Sequence, residues 1–548
     1  MASPPVPFAF ASAAASASNA NADAVAAAEA NAIGTGGLER CLELLKPGTS
    51  DESKLIGLTL MSDLVQEAQD LDTLTRFMDS MDFEFLDRMM HIDESSVPKD
   101  AGVDAAAIRS ISVDIMTCFS THWELLVRKE FKDRVPTLLS LLSSKDETDN
   151  SAKVLKIMLR ISAYPQVSMV LTNASYQSTI ITYLLDTMDR EDEAHGDAAL
   201  ICKRTCLIIQ EGFKQNASAV LKITKDFLPV VMTQLSTPFA DLTEKHTPAI
   251  LRLLTDSIAY LPESYMQQHI KECSAETKVW TNKLKSGLIQ LLSTRQAPAT
   301  RDNCFKLIGI LLQKVGPEWI FPNVGSPSAA HPKKKKASPA SLVSSMKSTT
   351  LSLSDVETDK KFAALVVHLT CVEVRVLMDQ LADDLSFSGN NTKSQQVFVT
   401  EDEAKQTTVR REQVLPLAYE ILEVAIGYLV RVSESEESLE KGLFDATGVL
   451  KIQESLEGAF SAILDYLKDL QESGDVTPAT LAANMIYLAS LRILSVWLME
   501  DDSLHAQAAS LVPPLGAVIR YCKSKSSQKS LLRLLEPIME RFQELSLD

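Results

Sequence analysis

Residues Lys361–Leu381 read KFAALVVHLTCVEVRVLMDQL. The stretch contains neither Pro nor Gly, and its apolar residues recur at helical spacing almost all the way round, the pattern of a helix buried inside a larger helical body. On a wheel of about 3.6 residues per turn, Val366, Leu369, Val376 and Leu377 gather around Phe362, and Glu373 falls in the middle of the same face. His368, Arg375 and Asp379 fall opposite. A carboxylate among aliphatic side chains needs a partner, because an unpaired buried charge is strongly destabilising.

The same period extends outward in both directions. GLERCLELL (37–45) places Leu38, Cys41, Leu42 and Leu45 on one stripe, and Asp51 or Ser53 is placed to cap the segment that follows. AAAIRSISVDIMTCFS (105–120) is another helical run. RVPTLLSLLSS (134–144) sets Pro136 at the expected first helical position ahead of an aliphatic stripe, and FLPVVMTQLS (227–236), LVPPLGAVIRY (511–521) and QVLPLAYEIL (413–422) repeat or resemble that form. Proline suits a first helical position because the N–H it lacks would be unpaired there. Further helices are predicted near 411–431, 449–471, 478–500 and 504–546. No strand alternation persists. Roughly eight helix pairs fit the chain, the density of repeats of ~40–47 residues.

Two polar stretches interrupt the pattern, 323–360 (Ser/Pro/Lys-rich) and 386–408. The Ala/Ser/Asn-rich start lacks the basic segment of a signal peptide and the arginines of a transit peptide. The expected organisation is a disordered tail over 1–35, a helical array over 36–322, a disordered basic loop over 323–360 and a continuation of the array over 361–548. The fold class is all-α, an armadillo/HEAT-like helical repeat superhelix with a disordered N-terminal tail and loops.

Composition narrows function further. The chain has 548 residues, 45% of them hydrophobic, and a net charge of −18. A field of that sign repels nucleic acid and favours basic partners. The eight cysteines form no CxxC pair. Cys202 and Cys206, four apart, read as core thiols in a reducing compartment, without the matching ligands a zinc site needs. No apolar run free of charge is long enough to span a bilayer, so no transmembrane segment is expected. The sequons at Asn173, Asn216 and Asn390 read as chance matches. The acidic runs 189–193 and 434–440 read as solvated surface.

No nucleotide-binding, metallohydrolase or nucleophile-elbow motif occurs, the eight histidines are dispersed, and the expectation is a non-enzyme with no catalytic, cofactor or metal site. Lys333, Lys334, Lys335 and Lys336 form the candidate basic contact, suited to an anionic phospholipid surface or to a nuclear-import signal. Ser326 and Ser338, each followed by Pro, flank the run as candidate phosphorylation sites, where phosphate would cancel much of that charge. Arg492 falls among Leu481, Met485, Leu488 and Val496 on a wheel drawn over 481–504. Glu373 and Arg492 are therefore the expected structural buried charges. Pairing across the core is one outcome for them, and nearer partners are the other.

Four segments taken in order, GLERCLELL (37–45), GPEWI (316–320), KFAALVVHLTCVEVRV (361–376) and ASLRILSVWLMEDDSL (489–504), resemble the neurochondrin family over about residues 36–545. The resemblance implies an armadillo-like fold and a non-enzymatic cytoplasmic scaffold or signalling regulator that binds proteins along its groove. It also implies kinase or small-GTPase partners and anionic phospholipid, with a peripheral place at endosomal membranes as the alternative reading. The Lys333–Lys336 run is not part of the family pattern, the chain is shorter than animal members, and functions of their C-terminal part are not expected of it. A nuclear-transport-type adaptor is the second alternative. It is disfavoured because the chain has four Trp in all, Trp123, Trp280, Trp319 and Trp497, too few for Trp/Asn pairs regularly spaced along a groove.

Overall fold

The computed structural model describes residues 35–67, 70–92, 104–142, 150–189, 192–241, 246–272, 274–322, 353–389, 401–434, 442–473, 476–525 and 528–544. All regular structure among them is helical, and the fold is all-α of the armadillo/HEAT kind. The chain forms two compact units, one of Met1–Leu235 with Asp256–Tyr265, the other of Ser236–Thr255 with Met266–Asp548.

The first unit carries α1 (Thr35–Leu44), α2 (Asp51–Glu67), α3 (Ala105–Phe119), α4 (Asn150–Ala163), α5 (Ala174–Asp186) and α6 (Glu193–Ile223), with shorter helices between. Contacts run mostly between neighbours in the stack: α2 on α3, α3 on α4, α4 on α6. The Oγ of Ser50, rather than Asp51 or Ser53, receives a first-turn N–H of α2, from Ser53 at 3.2 Å. Asn173 caps α5 by accepting from the Ser175 N–H at 2.9 Å. Asn216 breaks α6 with φ −153° and ψ 86°, and its Oδ1 accepts from the Ala219 N–H at 3.1 Å, restarting the helix. These two sequon asparagines thus serve the backbone, and the third, Asn390, lies outside the described residues.

Ties between successive helices follow one geometry. The Ser120 Oγ at the end of α3 donates to the Thr117 carbonyl (2.6 Å), and Arg160 of α4 donates to both Ser120 Oγ (2.8 Å) and that carbonyl (2.7 Å). One step on, Ser162 Oγ donates to the Leu159 carbonyl (2.5 Å), and Arg204 of α6 donates to Ser162 Oγ (3.2 Å) and Leu159 O (3.4 Å). A helix leaves its last carbonyls without intrahelical partners, and a cation there is favourable. Each arginine supplies what the preceding helix end lacks. The arginine-to-carbonyl separations, 43 and 45 residues, lie inside the repeat length expected from sequence.

The second unit carries α7 (Ser274–Leu292), α8 (Pro298–Val315), α9 (Leu353–Gly389), α10 (Glu401–Ser433), α11 (Ala446–Glu472), α12 (Met485–Trp497), α13 (Val512–Ser524) and α14 (Lys529–Glu544). Its centre is α9, which packs on α7, α10 and α11. Gly316 ends α8 at φ 108°, a backbone conformation that favours glycine. The turn Pro317–Trp319 then lays Trp319 against Phe362, ring centroids 5.0 Å apart. Lys285 of α7 is buried beside both rings and pairs with buried Asp359 at 2.5 Å. Burial pushes its ammonium below the ordinary lysine value, opposed by Asp359.

Several sequence expectations are corrected. The polar stretch expected to run to 360 gives way to helix at Leu353, because Asp355 and Asp359 are drawn to Asn282 and Lys285 of α7. The helices on both sides of that stretch, α7, α8 and α9, share one unit. The second stretch shrinks likewise, since α9 continues to Gly389 and α10 begins at Glu401. Pro136 and Pro513 sit in the first turn of their helices, but Pro416 lies inside α10. Asn484, at φ −84° and ψ 104°, divides 478–500 into Pro478–Ala483 and α12. The tail 1–34, residues 323–352 and most of 434–440 lie outside the described residues.

Among the described residues one helix, Lys405–Ser433, is long and apolar enough to cross a membrane by length and composition, although its 18-residue window is not free of charge. Its apolar residues Val414, Leu415, Ala418, Ile421, Leu422 and Ala425 are buried against neighbouring helices, and Tyr419 Oη is 2.7 Å from Ser490 Oγ of α12.

Glu373 of α9 is 3% exposed. It accepts from Arg410 of α10, and Arg301 of α8 lies 3.4 Å from its other oxygen. Arg410 also grips Asp302 of α8 through Nε (2.9 Å) and Nη2 (2.9 Å). Arg492 is not its partner and is not buried. The break at Asn484 puts Leu481 on a different helix, Met485 is 75% exposed, and Arg492 points outward to Glu423 at 2.7 and 2.9 Å. Val376, placed by the wheel beside Phe362, lies at the edge of that face and is 40% exposed.

Two stability predictions follow from these ties. Glu373→Ala strands the Arg410 guanidinium and is expected to lower unfolding free energy by about 3 kcal/mol, while Glu373→Gln keeps an acceptor and loses less. Equal denaturation midpoints for Glu373→Ala and the parent chain would remove the carboxylate from the fold's supports. Arg160→Met, which keeps the aliphatic stem, is expected to cost about 1–2 kcal/mol and to raise hydrogen exchange in the last turn of α3.

Candidate interaction groove

The face of α9 opposite Phe362 is open to solvent. Lys361, Ala364, His368, Val372, Arg375 and Asp379 succeed one another along it and all are exposed. Their spacing of three and four residues keeps them on one side of the helix. Val372 and Val376 are each 40% exposed. An aliphatic pair among cations on a solvent face differs from an ordinary solvated helix side, where polar groups fill the stripe.

α11 forms the other wall. Its buried side, including Leu456, Phe460, Ile463 and Leu467, faces the core, and Phe460 stacks on Trp497 of α12 with centroids 5.0 Å apart. Between the first turns of α11 and the start of α9 lies a cavity of about 510 Å³. Val367, Phe444 and Ile452 form its apolar lining, and Lys360, Lys361 and Lys451 bring ammonium groups to it. Further along, the guanidinium of Arg375 lies over Gly458, 3.9 Å from where a Cβ would stand.

Charge in the groove is unbalanced. Among the described residues no ion-pair partner is found for Lys360, Lys361, Lys451 or Arg375, whereas Lys285, Arg301, Arg410 and Arg411 nearby each meet a carboxylate. Two acids also line the cavity. Asp445 is engaged as the cap of α11, its Oδ1 accepting from the Gly448 N–H at 2.9 Å, and Glu357 stands on α9 one turn before Lys361. The hydroxyl of Ser455 donates to the Lys451 carbonyl (2.9 Å), so it is not poised on a base. Among the described residues no cluster of His, Cys, Asp or Glu is arranged to hold a metal. Cys371, on the covered side of α9, is a buried thiol pushed up to about 12 by desolvation. The groove offers cations and aliphatic surface for contact rather than an assembled reaction centre.

The residues singled out in the sequence stand elsewhere. Lys333, Lys334, Lys335 and Lys336, with Ser326 and Ser338, lie outside the described residues. Glu373 is on the covered side of α9 and helps fix the helix whose other side is open. Arg492 is a surface residue of α12. His368 and Arg375 were legible as the far side of the wheel, and the run Lys361, His368, Arg375, one cation or histidine every seven residues, was the available signal. Lys451 comes from a helix far along the chain and gave none.

The profile of the neurochondrin family matches residues 34–537. Chicken (Gallus gallus) neurochondrin is 23% identical over 506 residues, covering 89% of this chain and 57% of its own length. Human (Homo sapiens) neurochondrin is 22% identical with coverages of 89% and 54%, and the Drosophila melanogaster neurochondrin homolog 20% with 85% and 54%. The chain thus spans little more than half the length of these relatives. Among solved structures, a designed armadillo repeat protein matches 50% of this chain and 99% of its own at 12% identity and TM-score 0.27. A SYS-1/POP-1 complex matches 92% of this chain and 90% of its own at 10% identity and TM-score 0.27. With a family profile covering most of its residues and relatives aligned along nearly the same span, the chain belongs to the neurochondrin family.

Proposed function

We propose that this chain is a non-enzymatic scaffold whose partners dock on the open face of α9 and α11. Family membership and the helical-repeat fold support protein binding as its general role. The observation that carries the specific reading is the exposed pair Val372 and Val376, set among unpaired cations on a helix whose other sides are covered. Stacked helices present fixed side chains over a long surface, which suits recognition of a peptide segment or a partner helix. A cytoplasmic location and kinase or small-GTPase partners come with the family resemblance and complete the proposal.

Affinity capture from native extract tests it. The full chain and a chain lacking 323–352 are expected to retain a shared set of proteins. The deletion must stop at 352, since Asp355 and Asp359 belong to α9 and its contacts with α7. Val372→Asp with Val376→Asp is expected to reduce retention several-fold while leaving thermal unfolding unchanged. Retention of nothing above background by any of these chains sinks the scaffold reading.

A second reading, contact with anionic membrane, rests on the Lys333–Lys336 run. A chain with these four lysines replaced by Ala is expected to co-sediment less with phosphatidylserine vesicles at low salt. Equal sedimentation of the two chains would dispose of it.

A further inference from the structure

We propose that the groove between α9 and α11 docks an acidic peptide segment, which sets carboxylates on Lys360, Lys361, Lys451 and Arg375 and lays an aliphatic side chain on Val372 and Val376. The inference rests on the scaffold reading and names the chemistry of its partner.

Three observations converge on it. The first is charge. These four cations have no ion-pair partner among the described residues, in a chain whose net charge is −18 and whose neighbouring core cations are all matched. Such a concentration of unmatched positive charge is complementary to a negative partner. The second is extent. Lys361 and Arg375 are fourteen residues apart on one helix, roughly 20 Å at 1.5 Å per residue, with Lys360 and Lys451 beside the first of them. A single small anion cannot meet charges spread over that length, whereas an extended peptide of about six residues spans it. The third is the mixture of groups. The exposed valines Val372 and Val376 alternate with the cations along α9, so an occupant combining carboxylates with an aliphatic anchor satisfies both. Asp445 is engaged as the cap of α11, and among the described residues neither Glu357, one turn before Lys361, nor Asp379, one turn beyond Arg375, forms an ion pair with these cations.

The test is fluorescence anisotropy of the full chain with a fluorescein-labelled peptide of repeated Glu-Glu-Leu. Saturable binding is expected, with a repeated Lys-Lys-Leu peptide not bound at this site. Lys360→Glu, Lys361→Glu and Lys451→Glu together are expected to weaken the acidic peptide at least about tenfold. The same change of net charge at exposed Lys222, Lys225 and Lys278 is expected to leave it unaltered. Ala364→Trp narrows the groove at an exposed helical position without changing charge, and is expected to weaken binding as well. All these positions are on the surface, and circular dichroism checks that each variant keeps its helix content. Absence of saturable binding, or equal loss in both lysine triples, overturns the proposal. So does binding to phosphatidylserine vesicles with the same lysine dependence and none to the peptide, which would make the groove a lipid contact. If the parent chain fails to bind the acidic peptide yet still retains its set of proteins from extract, the scaffold reading survives and only the acidic docking falls.

Discussion

A single desolvated carboxylate organises the second unit. Glu373 sits on the apolar side of α9, where leaving it alone would be prohibitive, so a guanidinium has to be brought to it. Arg410 of α10 answers that demand and simultaneously holds Asp302 of α8 in a forked, two-nitrogen grip. Three successive long helices, α8, α9 and α10, are therefore registered by one planar cation. Aliphatic packing would permit small slides of α9 along its neighbours, but a fork of directed hydrogen bonds does not. The pair is better understood as fixing the arrangement than as adding net stability, since well-packed apolar groups often do as well energetically.

That registration bears on the groove. The open face of α9 is useful only if its cations keep a constant relation to Lys451 and Gly458 on α11, and α9 packs on α11 more extensively than on any other helix. The Trp319–Phe362 contact and the Lys285–Asp359 pair secure the beginning of the same helix. Trp319 and Phe362 belong to segments that carry the family resemblance, GPEWI and KFAALVVHLTCVEVRV, and Glu373 to the second of them, whereas Lys285 and Asp359 lie outside both. The groove-lining Lys451 lies outside all four resembling segments.

What was legible in the sequence was mostly local. The helical period of α9, the need of Glu373 for a partner and the first-turn role of Pro136 follow from neighbours within a few residues. The misreadings have specific physical origins. A wheel drawn through Asn484 assumed a continuous helix, but the Asn484 side chain accepts from the Tyr487 N–H and starts a new one, so Arg492 changed sides. The helix expected from 411 begins ten residues earlier, because Arg410 and Arg411 tie the polar residues around them to α8 and α9 as helix. Asp355 and Asp359 looked like part of a solvated run because Asn282 and Lys285 are more than seventy positions away. Of the groove, one wall could be seen on the wheel of α9. The other wall, and the lack of counter-charges that makes it a candidate site, exist only once the chain is folded.

The serine–arginine ties of the first unit have a consequence for how such a chain can change. Ser120 to Arg160 spans 40 residues and Ser162 to Arg204 spans 42, and in the second unit Arg541 reaches Ser495 across 46. The Ser495 hydroxyl likewise donates to a carbonyl three residues back, that of Arg492. What recurs is a helix end and the cation that meets it, while the number of intervening residues drifts. Loops between tied helices can therefore lengthen or shorten without shifting the stack, because each added residue costs little loop-closure entropy. A repeat counted along the chain loses its beat, while the same repeat counted in space, from one helix terminus to the next, keeps it.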